Sequence, residues 1–525
     1  MNERVDVIVV GAGPVGMTAT NLLGQYGIRA LLLERDATLT TYPRATNLDD
    51  EALRTFQMFG LAQKQLDGML PDPSLSVYSG SGELVAELSM AGPKTLGFPR
   101  LCTMLQTSLE RTLREGLGRF GCVELRAGHT ATGLSQSDDQ AVVTVQGPGG
   151  ESYRVEADFV LGCDGGRSIV RKLCNISMNG SSSEERWMLI EARGEVRPAG
   201  CFSFFGDPRR PLVFVQQPEG FQRWSIRLPP GEDAKAFEQL DRDGLQALFA
   251  RWKDGPKLGE VRRIRTYAIN TCVADRFRSG RVFLLGDSAH MMPPFAGQGL
   301  CSGLRDAANL CWKLSLVLRG LSSPDLLDSY EQERIPHVKE SIAATERVGW
   351  LFFPRGRRHD LVRRAALRLL FGVPPLREQF KRRSKAMPRL RQGAFSARPP
   401  GGTMIAQPRV LRADGQRAML DDVVGSGFAA IGMGVDPLET LDEPMRHFWA
   451  RLGARTLKVL PAGQPPRAGA GSCEEVQDDS GLLARWFAEH RGQIALVRPD
   501  RFVAALFSRQ EAPEGFRSLR GMLGA

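Results

Sequence analysis

Long apolar runs and paired cysteines are both scarce in this chain of 525 residues. No apolar run reaches about 18 residues, the length a helix needs to cross a bilayer. The nine cysteines include no CxxC pair and no metal-like cluster, so we expect no metal site. The first residues, MNERVDVIVVGAG, lack the charged and apolar sections of a signal peptide. We therefore expect a cytoplasmic protein with reduced, mostly buried thiols.

Acidic residues are scarce in one segment. Residues 354–394 hold 13 Lys and Arg against two Asp and Glu, whereas the net charge of the whole chain is only +10. Such a stretch can bind nucleic acid or an anionic membrane surface. No nucleic-acid motif accompanies it, which favours a solvated helical face beside a domain junction. We expect no nucleic-acid partner.

A glycine-rich turn follows the first predicted strand, the β-branched run VDVIVV at residues 5–10. Gly11, Gly13 and Gly16 form a GxGxxG, and Glu34 ends the next apolar run at the spacing typical of a ribose-binding carboxylate. In this reading Gly11 permits the tight turn, Gly13 lets the backbone reach a pyrophosphate, and Gly16 allows close helix–strand packing. The pattern predicts a dinucleotide-binding unit, but it does not separate FAD from NAD.

A second stretch, residues 282–314, predicts a cofactor cradle. A buried strand at 282–285 ends in Gly286 and Asp287, and helical periodicity begins near Leu300. The strand tip supplies one carboxylate, and the helix start supplies free N–H groups with a partial positive charge. The loop between them contains His290, Pro293, Pro294, Gly297, Gln298 and Gly299.

Three weaker patterns lie between these two stretches. Tyr42-Pro43-Arg44-Ala45 precedes a predicted helix at 49–59 and presents Arg44 on a loop. A predicted amphipathic helix at 102–117 carries Gln106 near its start. Asp164 lies in a glycine-rich turn before a short predicted helix at 169–173. Each pattern alone is common, and Arg44 alone could be a surface residue.

In this order, the motifs resemble those of the single-component (class A) FAD-dependent aromatic hydroxylases. The resemblance rests on GxGxxG, on PRA with DDEALRTFQMFGL, and on the DG and GD motifs at Asp164 and Asp287. The words FFGDPRRPLVFVQQ and RWSIRLPPGED look most like the 3-(3-hydroxyphenyl)propionate hydroxylase branch.

The resemblance implies FAD as the cofactor, with NADH or NADPH and O2 as co-substrates. It implies that Asp287 binds the ribityl chain, that Arg44 contacts the flavin from a mobile loop, and that Gln106 also contacts the flavin. The implied cofactor-binding residues are Gly11, Gly13, Pro14, Val15, Gly16, Glu34, Arg35, Arg44, Gln106, Asp164, Gly286, Asp287, Pro294, Gly297, Gln298, Gly299 and Leu300.

The implied activity is hydroxylation of a phenolic ring, ortho or para to its hydroxyl, through a flavin C4a-hydroperoxide. His290 and Pro293 are the candidate catalytic residues, although the place of His290 in the cofactor loop favours a supporting role. The same fold could instead carry out epoxidation, Baeyer–Villiger oxygenation or antibiotic modification. A non-catalytic FAD-binding protein is the alternative from another class.

We predict an α/β protein with several domains. Phe202, Phe204, Phe214 and Gln216 could line the substrate pocket or belong to the sheet core, and alternation places Phe202 and Phe204 on one face. A homodimer is one candidate assembly.

The predicted units are a Rossmann-like FAD-binding domain (1–74, 89–179 and 272–353), an antiparallel β-sheet substrate domain (75–88 and 180–271), a basic helical segment and linker (354–400), and a thioredoxin-like domain without CxxC (401–525).

Overall fold

The computed structural model describes residues 3–38, 44–195, 201–229, 231–250, 252, 257–354, 356–385, 389–467 and 473–525. The structure is mixed α/β, as predicted. Among the helices described, none is both long and apolar enough to cross a membrane. The predicted residues Tyr42 and Pro43 lie outside the described part of the chain.

The N-terminal third alternates strands and helices. Its elements are β1 (Glu3–Val10), α1 (Pro14–Gln25), β2 (Ala30–Glu34), β3 (Asn47–Asp49), α2 (Asp50–Gln57), α3 (Ala62–Asp67), β4 (Leu70–Pro71), β5 (Ser74–Ser79), β6 (Leu84–Ser89), β7 (Leu101–Thr103), α4 (Gln106–Leu117), β8 (Val123–Ala127), β9 (Thr130–Gln136), β10 (Ala141–Gln146), β11 (Ser152–Gly162) and α5 (Ile169–Leu173).

The middle of the chain first forms long strands and then long helices. Its elements are β12 (Met178–Arg193), β13 (Cys201–Gly206), β14 (Leu212–Gln216), β15 (Phe221–Leu228), α6 (Ala234–Glu238), α7 (Arg242–Phe249), β16 (Glu260–Ala274), β17 (Arg278–Ser279), β18 (Val282–Leu284), β19 (His290–Met291), α8 (Gln298–Leu318), α9 (Asp328–Phe352), α10 (Arg357–Gly372) and α11 (Pro374–Lys385).

A largely parallel sheet forms the core of the first domain, with the strand order β17-β18-β11-β1-β2-β8. The run VIVV of β1 is buried because parallel neighbours β11 and β2 flank it and helices cover the sheet. Both β1 and β18 end at the same edge, as parallel strands must. The glycine turn after β1 and the Gly286-Asp287 tip after β18 therefore lie close together.

One predicted helix boundary is wrong. The expected helix at 102–117 begins only at Gln106, because Leu101–Thr103 pairs with β3 as strand β7. Leu105 is extended, with φ of −96° and ψ of 120°. The short stretch at 102–105 fits either a helix or a strand locally, and pairing with a distant strand decides between them.

A second sheet, which we call the roof, has the order β19-β16-β12-β15-β14-β13-β5-β6. The predicted hairpin at 75–88 joins its edge as β5 and β6. The pairings are antiparallel as predicted, except that β13 and β5 run parallel. One roof face packs on α6 and α7, and the other turns toward the end of α9.

The C-terminal region has its own sheet, with the order β21-β20-β24-β23-β22-β25-β26. Strands β22, β23 and β24 are parallel, while β25 and β26 are antiparallel. The short strands β20, β21 and β24 carry too little pattern for sequence prediction. The elements are β20 (Arg409–Arg412), β21 (Arg417–Met419), α12 (Leu420–Val424), β22 (Ala429–Met433), α13 (Glu443–Arg451), β23 (Arg455–Leu460), β24 (Glu474–Gln477), α14 (Leu482–His490), β25 (Ile494–Val497), β26 (Val503–Phe507) and α15 (Ala512–Leu523).

Residues 396–402, where the expected linker ends, pack against the C-terminal sheet. Gly402 N donates to Val503 O at 3.0 Å, and Ser396 N donates to Ala504 O at 2.6 Å. Gly402 is buried. The proline-rich stretch therefore attaches the C-terminal domain firmly to the preceding chain.

Candidate active site

The glycine turn after β1 has the geometry that the sequence predicted. Gly11 has a φ of +103°, and a Cβ there would lie 2.6 Å from Cys163 O. A Cβ on Gly16 would lie 1.9 Å from Gly11 O, so helix α1 could not approach the turn so closely with any larger residue. No atom lies within 4 Å of a Cβ built on Gly13. Gly13 therefore leaves room for a ligand at the N-terminus of α1.

Pro14 and Val15 hold this helix start against the second motif. Pro14 occupies the first turn of α1, where a proline needs no N–H partner. Val15 packs on Gly286, since a Cβ built on Gly286 would lie 3.0 Å from its Cγ2. A Cβ on Gly303 of α8 would lie 2.6 Å from the same methyl group. The GxGxxG turn and the Gly286-Asp287 tip thus form one continuous cradle.

Glu34 ends β2 beside this cradle. Its Oε2 accepts a hydrogen bond from Ala12 N at 2.7 Å, and its Oε1 accepts one from Asp36 N at 3.0 Å. The neighbouring Arg35 is largely exposed and lies 3.8 Å from Asp36. Glu34 is therefore placed to accept hydrogen bonds from ribose hydroxyls, while Arg35 points into solvent.

Arg44 and Gln106 meet at the entrance of the cradle. Gln106 Oε1 accepts hydrogen bonds from Arg44 N at 2.6 Å and from Ala45 N at 2.8 Å. The Arg44 side chain is 84% exposed, and its NH1 lies 3.5 Å from Asp287 Oδ2. Gln106 therefore fixes the backbone of the loop, while the guanidinium stays free to move.

Asp164, in the turn after β11, caps helix α5. Its Oδ2 accepts hydrogen bonds from Ile169 N at 2.7 Å and from Val170 N at 3.1 Å. Its Oδ1 is buried and has no hydrogen-bond partner among the described residues. The turn lies against β1, since Cys163 N donates to Val10 O at 2.8 Å. A bound ligand with a hydroxyl or N–H group could donate the hydrogen bond that this carboxylate oxygen lacks.

Asp287 follows Gly286, whose φ of +62° turns the chain sharply at the strand end. Gly286 N donates to Asp306 Oδ2 at 2.9 Å. The Asp287 side chain is 42% exposed and faces Arg44 across the opening. The tip thus presents a carboxylate outward while its backbone is held from beneath.

His290 belongs to the support under this loop. It is buried, and its Nε2 lies 2.7 Å from Asp306 Oδ2. Arg334 Nε donates to Asp306 Oδ1 at 2.7 Å. Burial alone would raise the pKa of Asp306, but His290 and Arg334 hold it below its ordinary value. Asp306 is therefore a buried carboxylate that anchors the loop, and His290 is one of its contacts.

The loop ends in a left-handed turn at the start of α8. Pro293 precedes a single helical turn, Pro294–Ala296, and Gly297 then has a φ of +63°. Helix α8 begins at Gln298, two residues before the expected Leu300. Its first turn has no acidic residue and no side-chain cap, so the backbone N–H groups of Gln298, Gly299 and Leu300 face the cradle without a local acceptor.

These features fit FAD. The donor set consists of an open glycine turn at a helix N-terminus, a carboxylate at each of two strand tips, and a second uncapped helix N-terminus. A pyrophosphate suits the first helix, and ribose and ribityl hydroxyls suit Glu34 and Asp287. An electron-rich ring edge suits the start of α8. The predicted cofactor residues are brought together, apart from Arg35, which points away.

The four predicted substrate residues lie on two faces of the roof. Phe204 is buried on the side of the loop at residues 286–298, which we call the flavin loop. It stacks on Phe352, with ring centroids 4.6 Å apart. Phe202 packs in the same cluster. Phe214 lies in the hydrophobic cluster under α7, on the opposite face. Gln216 shares the strand phase of Phe214 and donates to Phe221 O at 3.2 Å.

A charged cluster on the face of Phe204 was missed by sequence reasoning. Arg223 is buried, and it donates through NH1 to Arg44 O and through NH2 to Glu191 Oε1 at 2.7 Å. Arg263 Nε donates to the other oxygen of Glu191 at 2.9 Å. The available signal was the alternation of side chains along β15. Arg223 shares one face of this strand with Ser225, whereas Trp224 and Ile226 are buried on the other face.

Comparisons with known proteins agree with this geometry. Residues 4–345 match the FAD binding domain family, and residues 402–522 match the HcaD C-terminal domain family. A "3-(3-hydroxy-phenyl)propionate/3-hydroxycinnamic acid hydroxylase 2" from Burkholderia vietnamiensis is 36% identical over 96% of this chain and 94% of its own length.

Two solved structures are similar. The flavin-dependent monooxygenase PieE, in complex with FAD and substrate, is 25% identical with a TM-score of 0.78 and covers 99% of both chains. The p-nitrophenol 4-monooxygenase PnpA from Pseudomonas putida DLL-E4 is 26% identical with a TM-score of 0.66, over 73% of this chain and 98% of its own. With the cradle described above, these matches mean that the chain belongs to the family of FAD-dependent aromatic hydroxylases, enzymes that use NAD(P)H and O2.

Proposed function

We propose that this FAD-dependent monooxygenase hydroxylates the ring of a phenolic acid, ortho or para to the phenolic hydroxyl. The proposed recognition of the acid group rests on Arg223, a buried cation on the roof face of Phe204 that donates to the backbone carbonyl of Arg44. The relatives at 36% identity are named for hydroxyphenylpropionate and hydroxycinnamate, which both carry a carboxylate and a phenol. That pair of groups suits the chemistry of this face.

Arg223 and Arg263 share the single carboxylate of Glu191. Burial lowers the pKa of Arg223, although Glu191 acts in the opposite direction. A carboxylate entering beside this cluster would meet positive charge in an apolar surrounding, where a charged hydrogen bond contributes about 1.5–3 kcal/mol. A neutral phenol has no carboxylate and would gain no such charged hydrogen bond.

Tyr267 offers a partner for the phenolic end. It lies on β16 and pairs with Trp187 of β12. The next pair along the same face of these strands is Leu189 with Arg265. Burial raises the pKa of Tyr267, while a hydrogen bond with Ser225 and the charge of Arg223 lower it. Tyr267 therefore stays protonated at neutral pH and can donate a hydrogen bond to a phenol or phenolate oxygen.

The residues of the chain position and protect the reaction. Bound FAD carries two electrons from NAD(P)H to O2, so that one oxygen atom enters the ring and the other leaves as water. The start of α8 would stabilise negative charge on a flavin bound at its N-terminus. The aromatic cluster of Phe204, Phe295 and Phe353 keeps water from the roof side of the loop.

The test compares matched substrates. We expect 3-(3-hydroxyphenyl)propionate to stimulate NAD(P)H oxidation and to give a product containing one atom from labelled O2. The neutral analogue 3-propylphenol should have a KM at least about tenfold higher, since it lacks the carboxylate. Equal KM values for the two compounds would refute recognition of an acid. A product with an inserted ring oxygen or an epoxide would refute hydroxylation.

We also propose that the C-terminal domain is thioredoxin-like and has no redox role. The strand order β23-β22-β25-β26, with β25 antiparallel to β22, supports this. Cys473 is its single cysteine, and burial raises the pKa of the Cys473 thiol to about 12. A thiol with this pKa is a poor nucleophile. Unchanged kinetics in Cys473→Ser would be the expected result.

A homodimer through α10 is the assembly we propose. Leu361, Val362 and Leu369 are exposed on α10, and Trp350 at the end of α9 is exposed nearby. An exposed stripe of this kind is typical of a subunit interface. Light scattering should give twice the mass of the chain for the wild type and the monomer mass for Leu361→Ser with Leu369→Ser. A monomeric wild type would refute the dimer.

A further inference from the structure

One turn of the C-terminal domain, Arg498-Pro499-Asp500-Arg501, inserts two buried arginines toward the FAD-binding domain. The turn joins β25 to β26. Arg501 has a φ of +71°, an unfavourable backbone conformation for a residue other than glycine. A strained turn with two buried cations is costly, and such features persist where surrounding contacts require them.

Arg498 binds helix α9 with a two-pronged contact. Its NH1 and NH2 donate to the two carboxylate oxygens of Glu333 at 2.8 and 2.9 Å. Its Nε donates to Asp500 at 2.9 Å, and its guanidinium lies 5.2 Å from the ring centroid of Trp312 on α8. Glu333 also accepts from Asn309 Nδ2 of α8 at 2.5 Å. This arginine therefore joins α8, α9 and the C-terminal domain.

From Glu333 the contacts continue to the flavin loop. The next residue, Arg334, donates to Asp306 Oδ1 at 2.7 Å and to Ser302 O at 3.1 Å. Asp306 in turn accepts from Gly286 N at 2.9 Å and contacts His290 at 2.7 Å. The first half of the loop at 286–298 thus rests on a buried polar chain that ends at Arg498.

Arg501 leads to the other end of the same loop. It pairs with Asp421 at 3.1 Å, and Asp421 accepts hydrogen bonds from Arg54 of α2 at 2.6 and 2.9 Å. One turn earlier on α2, Glu51 accepts from Arg305 Nε at 2.5 Å. Arg305 NH1 then donates to Gln298 Oε1 at 3.2 Å.

We propose that the turn at 498–501 is a positioning element for the flavin site. Arg498 fixes the position of the Gly286 backbone through Glu333, Arg334 and Asp306. Arg501 fixes the position of the Gln298 side chain through Asp421, Arg54 and α2. The C-terminal domain then contributes to FAD binding without touching FAD. This role is independent of which aromatic compound the enzyme hydroxylates.

The test uses lysine in place of each arginine in the full-length protein. Arg498→Lys and Arg501→Lys keep the buried positive charge but lose the fork that contacts two groups at once. We expect each variant to bind FAD about tenfold more weakly in a fluorescence titration of the apoprotein. We also expect faster hydrogen exchange in peptides covering residues 286–298 of the holoprotein, because the loop loses its support.

Arg509→Lys is the matched control, since Arg509 forms an exposed ion pair with Glu439 on the same domain. It should change neither measurement. Unchanged FAD affinity in both folded variants would overturn the proposal, as would weaker FAD binding without faster exchange at 286–298. If Arg498→Lys does not fold, Arg54→Lys tests the second route from the FAD-binding side, with the same two outcomes.

Discussion

Asp287 shows at the scale of one residue how the fold prepares a ligand contact. Its backbone is fixed by Gly286 and Asp306, and its carboxylate faces outward. We predict that Asp287→Ala weakens FAD binding by about tenfold to a hundredfold, because a ribityl hydroxyl loses a charged acceptor worth about 1.5–3 kcal/mol. Titration of the apoprotein with FAD measures this. Asp275→Ala, at an exposed position directly after β16, is the control, and wild-type affinity in Asp287→Ala would contradict the assignment.

Arg44 permits a different experiment, because its side chain is exposed and its removal leaves the fold intact. Arg44→Ala should slow flavin reduction by NAD(P)H or weaken FAD binding, since the cation beside Asp287 is lost. Stopped-flow absorbance in the presence of substrate measures the reduction rate. Arg44→Lys keeps the charge, so its flavin reduction rate and FAD affinity should lie between those of the wild type and Arg44→Ala. Wild-type reduction rates and FAD affinity in Arg44→Ala would remove Arg44 from the flavin site.

Residues of this site divide into two groups by how far the sequence could predict them. Gly11, Gly13 and Asp287 could be predicted, because tight turns and strand tips restrict the residue type locally. Arg223 and Glu191 could not, because their pairing depends on the register of two strands 32 positions apart in the chain. The sequence showed Arg223 as a charged residue on a predicted strand, but it did not show that Glu191 is its partner.

At the scale of elements, the left-handed turn before α8 offers a matched pair of glycines. Gly297 has a φ of +63°, and a Cβ there would lie 2.2 Å from Asn47 Oδ1. A Cβ on Gly299 would meet its nearest atom, Met292 Cγ, only at 3.7 Å. Gly297→Ala should therefore cost about 1–2 kcal/mol in backbone strain alone and also weaken FAD binding, because the loop must move away from Asn47.

Gly299→Ala places the same methyl group two residues further, inside the first turn of α8, where no protein atom is closer than 3.7 Å, and should leave the melting temperature unchanged. Thermal unfolding and FAD titration of both variants measure the difference. Equal effects would mean that the turn is not strained at Gly297.

Elements with long regular patterns were predictable, whereas boundaries set by distant partners were not. The runs that became β1 and α8 were recognised because their patterns extend over many residues. Strand β7 was taken as the start of a helix, since its three residues carry no pattern of their own and depend on β3. Local propensity is weak over such short segments, and tertiary pairing decides them.

At the scale of the whole molecule, buried ion pairs join parts of the chain that sequence reasoning treated as independent. Arg498 and Glu333 are 165 positions apart, and Arg54 and Asp421 are 367 positions apart. No local pattern relates such residues. The C-terminal domain was therefore predicted as a separate unit, whereas the structure places its charges inside the same buried network that supports the flavin loop.

This network makes stability depend on pH in a predictable direction. Burial alone would raise the pKa of Glu333, but Arg498 and Lys313 hold it at about 2, against an ordinary value of 4.5. Because the pKa is lower in the folded state, the unfolded chain binds more protons between these values. The stabilisation, about 3 kcal/mol, is complete above pH 4.5 and is lost as the pH falls toward 2.

Lys313 adds a second window in the alkaline range. Burial lowers its pKa to about 8 from 10.5, although Glu333 acts in the opposite direction. The folded state therefore carries the cost of a buried ammonium below pH 8, and that cost disappears as the pH rises from 8 toward 10.5. From Lys313 alone, stability should rise across this range, in the same direction as the rise from pH 2 to 4.5 that Glu333 produces.

Glu333→Gln isolates the acid window. The variant should be less stable at pH 7 by about 3–5 kcal/mol, since Arg498 and Lys313 lose their shared carboxylate inside the protein. Its unfolding free energy should then fall less steeply than that of the wild type between pH 4.5 and 2. Urea unfolding at several pH values measures both quantities. Glu340→Gln, on the outer face of α9, is the control and should keep the wild-type slope. Parallel slopes for the wild type and Glu333→Gln would contradict this prediction. Groups other than Glu333 would then cause the loss of unfolding free energy at low pH.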